Sequence, residues 1–214
     1  MANTQILRNT KIEMQSGLGA DVTVTGITNA NPAVITANNT YSNGELVVLS
    51  GIVGMPEMND RVVRVSAVSG TEFTAEGVNS SSWGTYVSGG VANEVTPFVV
   101  FDNVTNLSLP DNAPEELTAT TVHDSQVVTE FGMEGSSSGT FQTLADPLST
   151  TSVEIGAARD ANTRRVFRVT LQSGYVGIFN AFVAGGRGID GAAGQFATGT
   201  VSLTMRNAPQ WFVS

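Results

Sequence analysis

Cysteine is absent, histidine occurs once, and no run of apolar residues approaches the roughly 18 that a membrane-spanning helix needs. The first absence excludes disulfides, thiolate metal sites and thiol redox chemistry, and it suits a chain that folds in a reducing cytoplasm. The single histidine, His123, stands in a Thr-Val-His-Asp stretch. Gly135-Ser-Ser-Ser-Gly139 has the Gly-x-Ser-x-Gly spacing but reads as a hairpin tip and not as a strand-to-helix elbow, and with one histidine and no cysteine the converging groups of a nucleophilic or acid-base site are not in view. Basic residues are also scarce: 10 Lys and Arg face 19 Asp and Glu, for a net charge of −9. Binding to phosphates needs clustered cations that displace counterions, so nucleic-acid wrapping is not expected. The opening residues, MANTQILRNTKIEMQSG, lack the continuous apolar stretch of an export signal, and we read a soluble protein without one.

What remains is a chain of 214 residues, long enough to bury a substantial core without staples. Its 23 glycines, frequent Val and Thr, and short apolar stretches broken by Asn-Gly, Ser-Gly and Gly-Gly predict an all-β fold. Five strands are expected between residues 22 and 95, at 22–27, 33–37, 45–50, 61–67 and 72–75, and this region reads as a small inserted β module. The remaining segments, 1–21 and 96–214, form the core. There the expected strands cover 98–101, an interrupted run through Val104, Leu107 and Leu109, 116–122, 127–133, 140–144, 164–171, 175–183 and 199–205.

Finer expectations follow from alternation. Residues 6–14 read as an arm leading into a short strand, with Lys11 and Glu13 alternating with Ile12 and Met14. Phe141 points inward. Gly135 to Gly139, with three serines between them, is expected to be a flexible hairpin tip. One short helix is expected, with Asp146 as its N-cap, Pro147 at the first position, and Leu148 and Ile155 on one face. The stretch 175–183 is apolar on both faces, which predicts cover from its own sheet on one side and from a neighbouring copy on the other. A glycine-rich loop (Gly185, Gly186, Gly188, Gly191, Gly194) precedes the last strand. It lacks the Gly-Lys-Ser/Thr ending of a phosphate loop. The C-terminal Gln-Trp-Phe-Val reads as an apolar tail.

Charge is segregated along the chain. Residues 96–158 contain nine acids and no base, while 159–214 carry a net +4, owed to Arg159, Arg164, Arg165, Arg168, Arg187 and Arg206. Such opposite portions pair within one chain or between identical copies. On the second reading, Arg164, Arg165, Arg168 and Arg187 are candidates for contacts between subunits. Paired acids such as Glu115 with Glu116, or Glu130 with Glu134, lack the apolar surroundings that split carboxyl pKa values for glycoside hydrolysis.

The stretch from Gly51 through Asn59 to Arg61-Val-Val-Arg-Val-Ser66 resembles a small β module that recurs in phage virion proteins. A wider resemblance is carried by Glu116-Leu-Thr-Ala119, by Gly135 through Phe141, by Thr163-Arg-Arg-Val-Phe-Arg-Val-Thr170, by the turn at Gly174 with its return strand, and by Thr200-Val-Ser-Leu-Thr204 with Pro209. Together these resemble the major tail tube proteins of long-tailed, lambda-like bacteriophages. The resemblance implies a β-sandwich whose sheets join in a homohexameric ring around an inner barrel, with rings stacking through terminal arms and a long hairpin. It implies a structural virion protein, assembled in the host cytoplasm, that conducts DNA without binding it specifically. Implied partners are further copies of the chain and the tape measure, tail tip and tail terminator proteins. No cofactor, metal or membrane insertion is implied. Glu116, Asp124, Glu130 and Glu134 become candidates to face the lumen. Gly135, Ser136, Ser137, Ser138 and Gly139 become candidates for the stacking loop, and the 22–95 module projects outward. Competing classes are another tail component, such as a terminator or decoration protein, and a glycan- or host-surface-binding module with Trp83 and Tyr86 as its aromatic platform.

Overall fold

A computed structural model describes residues 7–110, 116–121, 123, 125–132, 137–205 and 208–213. Among the described residues the chain is all-β with one α-helix, the class that its composition predicts. It divides into two compact units. The first comprises residues 1–101, 165–180 and 211–214, and the second 102–164 and 181–210.

Six strands of the first unit close into a barrel: β2 (Asp21–Ile27), β3 (Ala33–Ala37), β4 (Leu46–Ser50), β5 (Arg61–Ser66), β6 (Glu72–Ala75) and β7 (Val91–Glu94), in the order β2-β3-β6-β5-β4-β7. Alternation decides what fills it. Ala33, Ile35 and Ala37 from β3, Val47 and Leu49 from β4, Val63 and Val65 from β5, and Phe73 and Ala75 from β6 are buried together, joined by Met58 of a one-turn 3-10 helix (Pro56–Met58) and by Met55, its N-cap. Tyr41 meets Phe73 edge-on at 5.4 Å. Five of the six strands follow the expected spans. The sixth, Val-Ala-Asn-Glu, has no strand signature of its own and forms because β2 and β4 pair with it from either side.

The same unit contains a sheet in the order β8-β1-β13-β14, made of β8 (Phe98–Phe101), β1 (Lys11–Gln15), β13 (Arg165–Thr170) and β14 (Tyr175–Val183), with β16 (Gln210–Val213) paired to β14. Residues 11–15 are thus the short strand that alternation predicts, paired on both sides, and residues 1–6 lie outside the described residues. Glu13, expected on the polar side, is 3% exposed. The apolar C-terminal tail is itself a strand.

Ile178 on one face of β14 and Phe179 on the other are 1% and 3% exposed in the single chain, which corrects the expectation that a neighbour must shield one of them. On one face Ile178 packs with Val166, Phe212, Val95, Leu46 and Val62, the last two being outward-facing residues of the barrel. On the other face Phe179 stacks on Phe167 at 5.4 Å, their rings 9° from parallel.

In the second unit β14 continues into the order β14-β15-β12-β9, with β9 (Val104–Ser108), β12 (Ser137–Leu144) and β15 (Thr198–Met205). Eight consecutive residue pairs join β12 to β15, from Ser137 with Met205 to Leu144 with Thr198. Phe141 is buried, as alternation predicts. The helix α1 (Thr150–Ala161) begins later than expected. Ser149 is its N-cap, accepting from the Ser152 N–H, and Asp146 serves the preceding turn, where its carbonyl accepts from the Ser149 and Ser152 hydroxyls at 2.8 and 2.7 Å. Pro147 consequently precedes the helix. Leu148 is 90% exposed, whereas Ile155 is buried, so the two do not share a face. Asn162, in left-handed conformation, ends the helix.

Candidate functional site

The feature of the second unit that its own fold does not absorb is a two-stranded ribbon, β10 (Glu116–Thr118) paired with β11 (Thr129–Phe131). Every residue of both strands is exposed. A polar ribbon would tolerate this, but here Leu117 is 48%, Val127 76% and Phe131 71% exposed. An isolated pair of strands is marginal in water, and apolar side chains on it add a cost that only a covering surface removes.

Register fixes which ribbon residues act together. Glu116 lies opposite Phe131 and Leu117 opposite Glu130, so one face presents Glu116 with Phe131 and the other Leu117 with Glu130. The two described lumen candidates thus point to opposite faces, and one surface cannot receive both. Asp124 and Glu134 lie outside the described residues. His123 belongs to the connection between the strands, where its backbone N–H donates to the Thr121 hydroxyl at 3.4 Å.

Of the five residues expected at a flexible tip, Gly135 and Ser136 lie outside the described residues, and the other three are on β12. Ser137 is buried and donates to the Pro110 carbonyl at 2.8 Å. Ser138 pairs with Thr204. At Gly139 a Cβ would approach Leu109 Cδ2 to 2.9 Å, so glycine here admits a neighbour and does not loosen a loop. A Ser/Gly string resembles a tip in sequence, but the ladder with β15, which runs from Ser137 opposite Met205 through Gly139 opposite Leu203, makes it strand.

The four arginines proposed for contacts between copies have distinct settings. Arg168 donates through Nε to Glu13 Oε2 at 2.6 Å and stacks over Phe98 at 4.3 Å. Burial alone would raise the Glu13 carboxyl, but hydrogen bonds from Arg168 and Lys11, with their charges, outweigh it and hold Glu13 below its usual range. Arg187 reaches Asp160 at 2.6 Å by lying across Gly156, where a Cβ would stand 2.7 Å from its guanidinium. Both pairs follow the within-chain alternative. Arg164 lies over the Phe182 ring at 4.9 Å. The Nε of Arg165 is buried without a hydrogen-bond partner among the described residues.

Beside α1, a cleft of about 390 Å3 is lined by Pro147, Val153, Ile155, Ile189 and Arg187, together with the end of β12. Gly186, at φ +145°, lets the loop close against Ile155: a Cβ there would stand 2.5 Å from Ile155 Cγ2. Sequence reasoning did not find this cleft, because its walls come from three separated segments.

The aromatic platform in the barrel is largely committed. Arg61 covers the Trp83 ring at 5.0 Å, and the Tyr86 hydroxyl donates to the carbonyls of Val24 and Gly89, both at 3.0 Å. Asn29 pins the Trp83 segment by donating to the carbonyls of Ser80, Trp83 and Gly84 at 3.0–3.2 Å. Among the described residues, no group of three or more His, Cys, Asp or Glu converges on a metal-sized site. No described helix is long and apolar enough to cross a membrane.

The architecture is that of an all-β protein with a small closed barrel. Residues 30–96, fewer than half of the chain, match the family model of the ubiquitin-activating enzyme E1 FCCH domain, a span that runs from just before β3 to just beyond β7. No curated protein matches the sequence. One solved chain that matches comes from the tail of an empty GTA particle with C6 symmetry. It is 9% identical, with 55% of this chain and 88% of that chain covered, at a TM-score of 0.44. A likeness that slight says nothing about what this chain does.

Proposed function

We propose that the protein is a structural subunit of a bacteriophage tail, the tube protein of a lambda-like non-contractile tail, and not an enzyme. The observation that carries this reading is the β10–β11 ribbon, whose apolar side chains Leu117 and Phe131 have no cover among the described residues. A ribbon of this kind suits a protein that completes its burial on another copy, as stacked rings of tube subunits do. The acidic stretch 96–158 adds a consistent electrostatic property, since surplus carboxylates repel DNA and let it pass. Hexameric rings, the inner channel, and contacts with tape measure, tip and terminator proteins belong to this proposal, as does a barrel carried outside the channel. The binding-module alternative has less support, because Arg61 covers Trp83 and the Tyr86 hydroxyl is bonded to the backbone.

Electron microscopy of the concentrated full chain tests the reading. Six-fold rings or tubes with outward knobs are the expected result. Particles that stay monomeric by microscopy and sedimentation at every concentration overturn it.

A further inference from the structure

We infer that β16 is a strap that fixes the direction in which the barrel points, and that the barrel stays folded and tethered but turns freely when the strap lets go. Residues 211–213 of the strap, the sheet residues they touch and the barrel all belong to the first unit, so the device does not depend on what the chain assembles into. On the sheet side β16 pairs with β14, and the Trp211 ring lies so close over Gly177 that a Cβ there would stand 2.9–3.0 Å from it. On the barrel side Arg64 of β5 donates from Nη1 to the Val213 carbonyl at 2.7 Å, and its guanidinium lies over the Phe212 ring at 5.5 Å. Glu76, with a carboxylate oxygen 3.5 Å from Arg64 Nε, holds that guanidinium in place. The same ring meets Gly77, where a Cβ would be 3.6 Å from Phe212 Cε1.

Phe212 is the shared anchor. It is buried with Leu46, Val62 and Val95 from the barrel side and with Val166 and Ile178 from the sheet, so its ring fills the junction between them. Removing the ring leaves a gap that neither surface closes alone. A polar link from the Asn180 amide to the Asp60 carbonyl lies at the same junction. The other attachment is a ribbon: β1 and β8 run on as β2 and β7, joined between them by the Ser16 N–H donating to the Pro97 carbonyl at 3.0 Å and the Gly19 N–H to the Glu94 carbonyl at 2.8 Å. Two strands without a packed face tether the barrel but do not set its angle. The barrel needs no strap to fold, since its six strands close on each other around a core that takes no residue from β16. The strap itself is lightly held. It is four residues long, Trp211 is 48% and Val213 71% exposed, and the buried Gln210 Oε1 has no hydrogen-bond partner among the described residues. A short segment with one buried anchor opens well before its domain unfolds.

The absence of cysteine makes the test clean, since introduced thiols are the only ones present. Full-length chains with Glu72→Cys on the barrel and Gln172→Cys in the turn between β13 and β14, both exposed positions, are spin-labelled, and the separation of the labels is measured by double electron-electron resonance. One narrow distribution is expected. Phe212→Ala should widen it about twofold, and Arg64→Gln, which leaves every residue of the strap in place, should widen it less. Hydrogen exchange should rise at residues 210–213 of Phe212→Ala while residues 61–75 keep their protection. Should Phe212→Ala fail to fold, Arg64→Gln carries the same readings. A distribution already broad in the parent, or one that stays narrow in the variants, overturns the inference, because the barrel then has no fixed direction or has one set without the strap. Widening with lost protection at residues 61–75 overturns it too, because the strap is then part of the barrel's own fold.

Discussion

Replacing Glu13 with alanine removes an anion from the middle of a sheet and leaves two cations behind. Arg168 Nε is 2.6 Å and Lys11 Nζ 2.7 Å from its oxygens, and the carboxyl side chain is 4% exposed against 31% and 52% for the two partners. Losing one member of a fully buried pair costs about 3–5 kcal/mol. Here both cations stay partly hydrated after the loss, which lowers the expected cost to about 2–3 kcal/mol. For a domain of this length, roughly 2–4 °C of Tm per kcal/mol gives a fall of about 4–12 °C. The pH dependence identifies the cause. Because folding lowers the Glu13 pKa below its ordinary 4.5, the stabilisation is fully present above that value and is lost as pH falls through the lowered one. Thermal melts of both proteins, followed by circular dichroism from neutral pH into acid, should therefore converge at low pH. A Tm loss under about 2 °C at neutral pH, or a gap that does not narrow in acid, refutes the argument.

Gly177→Val would set a Cβ within 2.9–3.0 Å of the Trp211 ring, so the ring should leave β14 and the fluorescence of Trp211, one of only two tryptophans, should shift to the red; an unchanged spectrum contradicts the close approach. Asn29→Asp replaces the amide that donates to three carbonyls with an acceptor facing them, and should cost about 2–3 kcal/mol in denaturant unfolding while disturbing Trp83 emission. Tyr41 is pushed up to about 12, first by burial and then by the charges of Glu94 and Glu45. An ultraviolet titration should find one phenol ionising late, and stability, fully present below pH 10, should be lost progressively as pH rises toward 12. Tyr41→Phe abolishes the late phase if the assignment is correct.

Strands that owe their form to their own residues were legible in the sequence. The alternation of Ala33 to Ala37 and of Arg61 to Ser66 gives each strand one face for the barrel interior, and turn residues mark their ends. Val91–Glu94 was not legible, because Asn93 and Glu94 argue against a strand, and pairing with β2 and β4 decides the matter. The helix start was misplaced by competition between two good caps: Asp146 satisfies the turn, which leaves Ser149 to begin the helix. For β14 the composition was read correctly and its cover was not. Nothing local in 175–183 says that Leu46 and Val62, more than a hundred residues earlier, pack with Ile178. The candidate site was half legible. Ribbon and acids could be read from alternation, but which acid shares a face with which apolar residue depends on register, and the cleft's walls meet only after folding.

The barrel described first has no end to its hydrogen-bonded circuit, since each of its six strands has a neighbour on both sides. Sheets with open rims are sticky where many copies crowd together, because any stray strand can extend the ladder. A closed ring of strands offers no such rim, so other chains meet its main chain only at the loops and elsewhere find side chains. Such a module can be repeated at high local density without fusing to its neighbours, and changes to its outward side chains can alter what it touches while the circuit that holds it together stays the same.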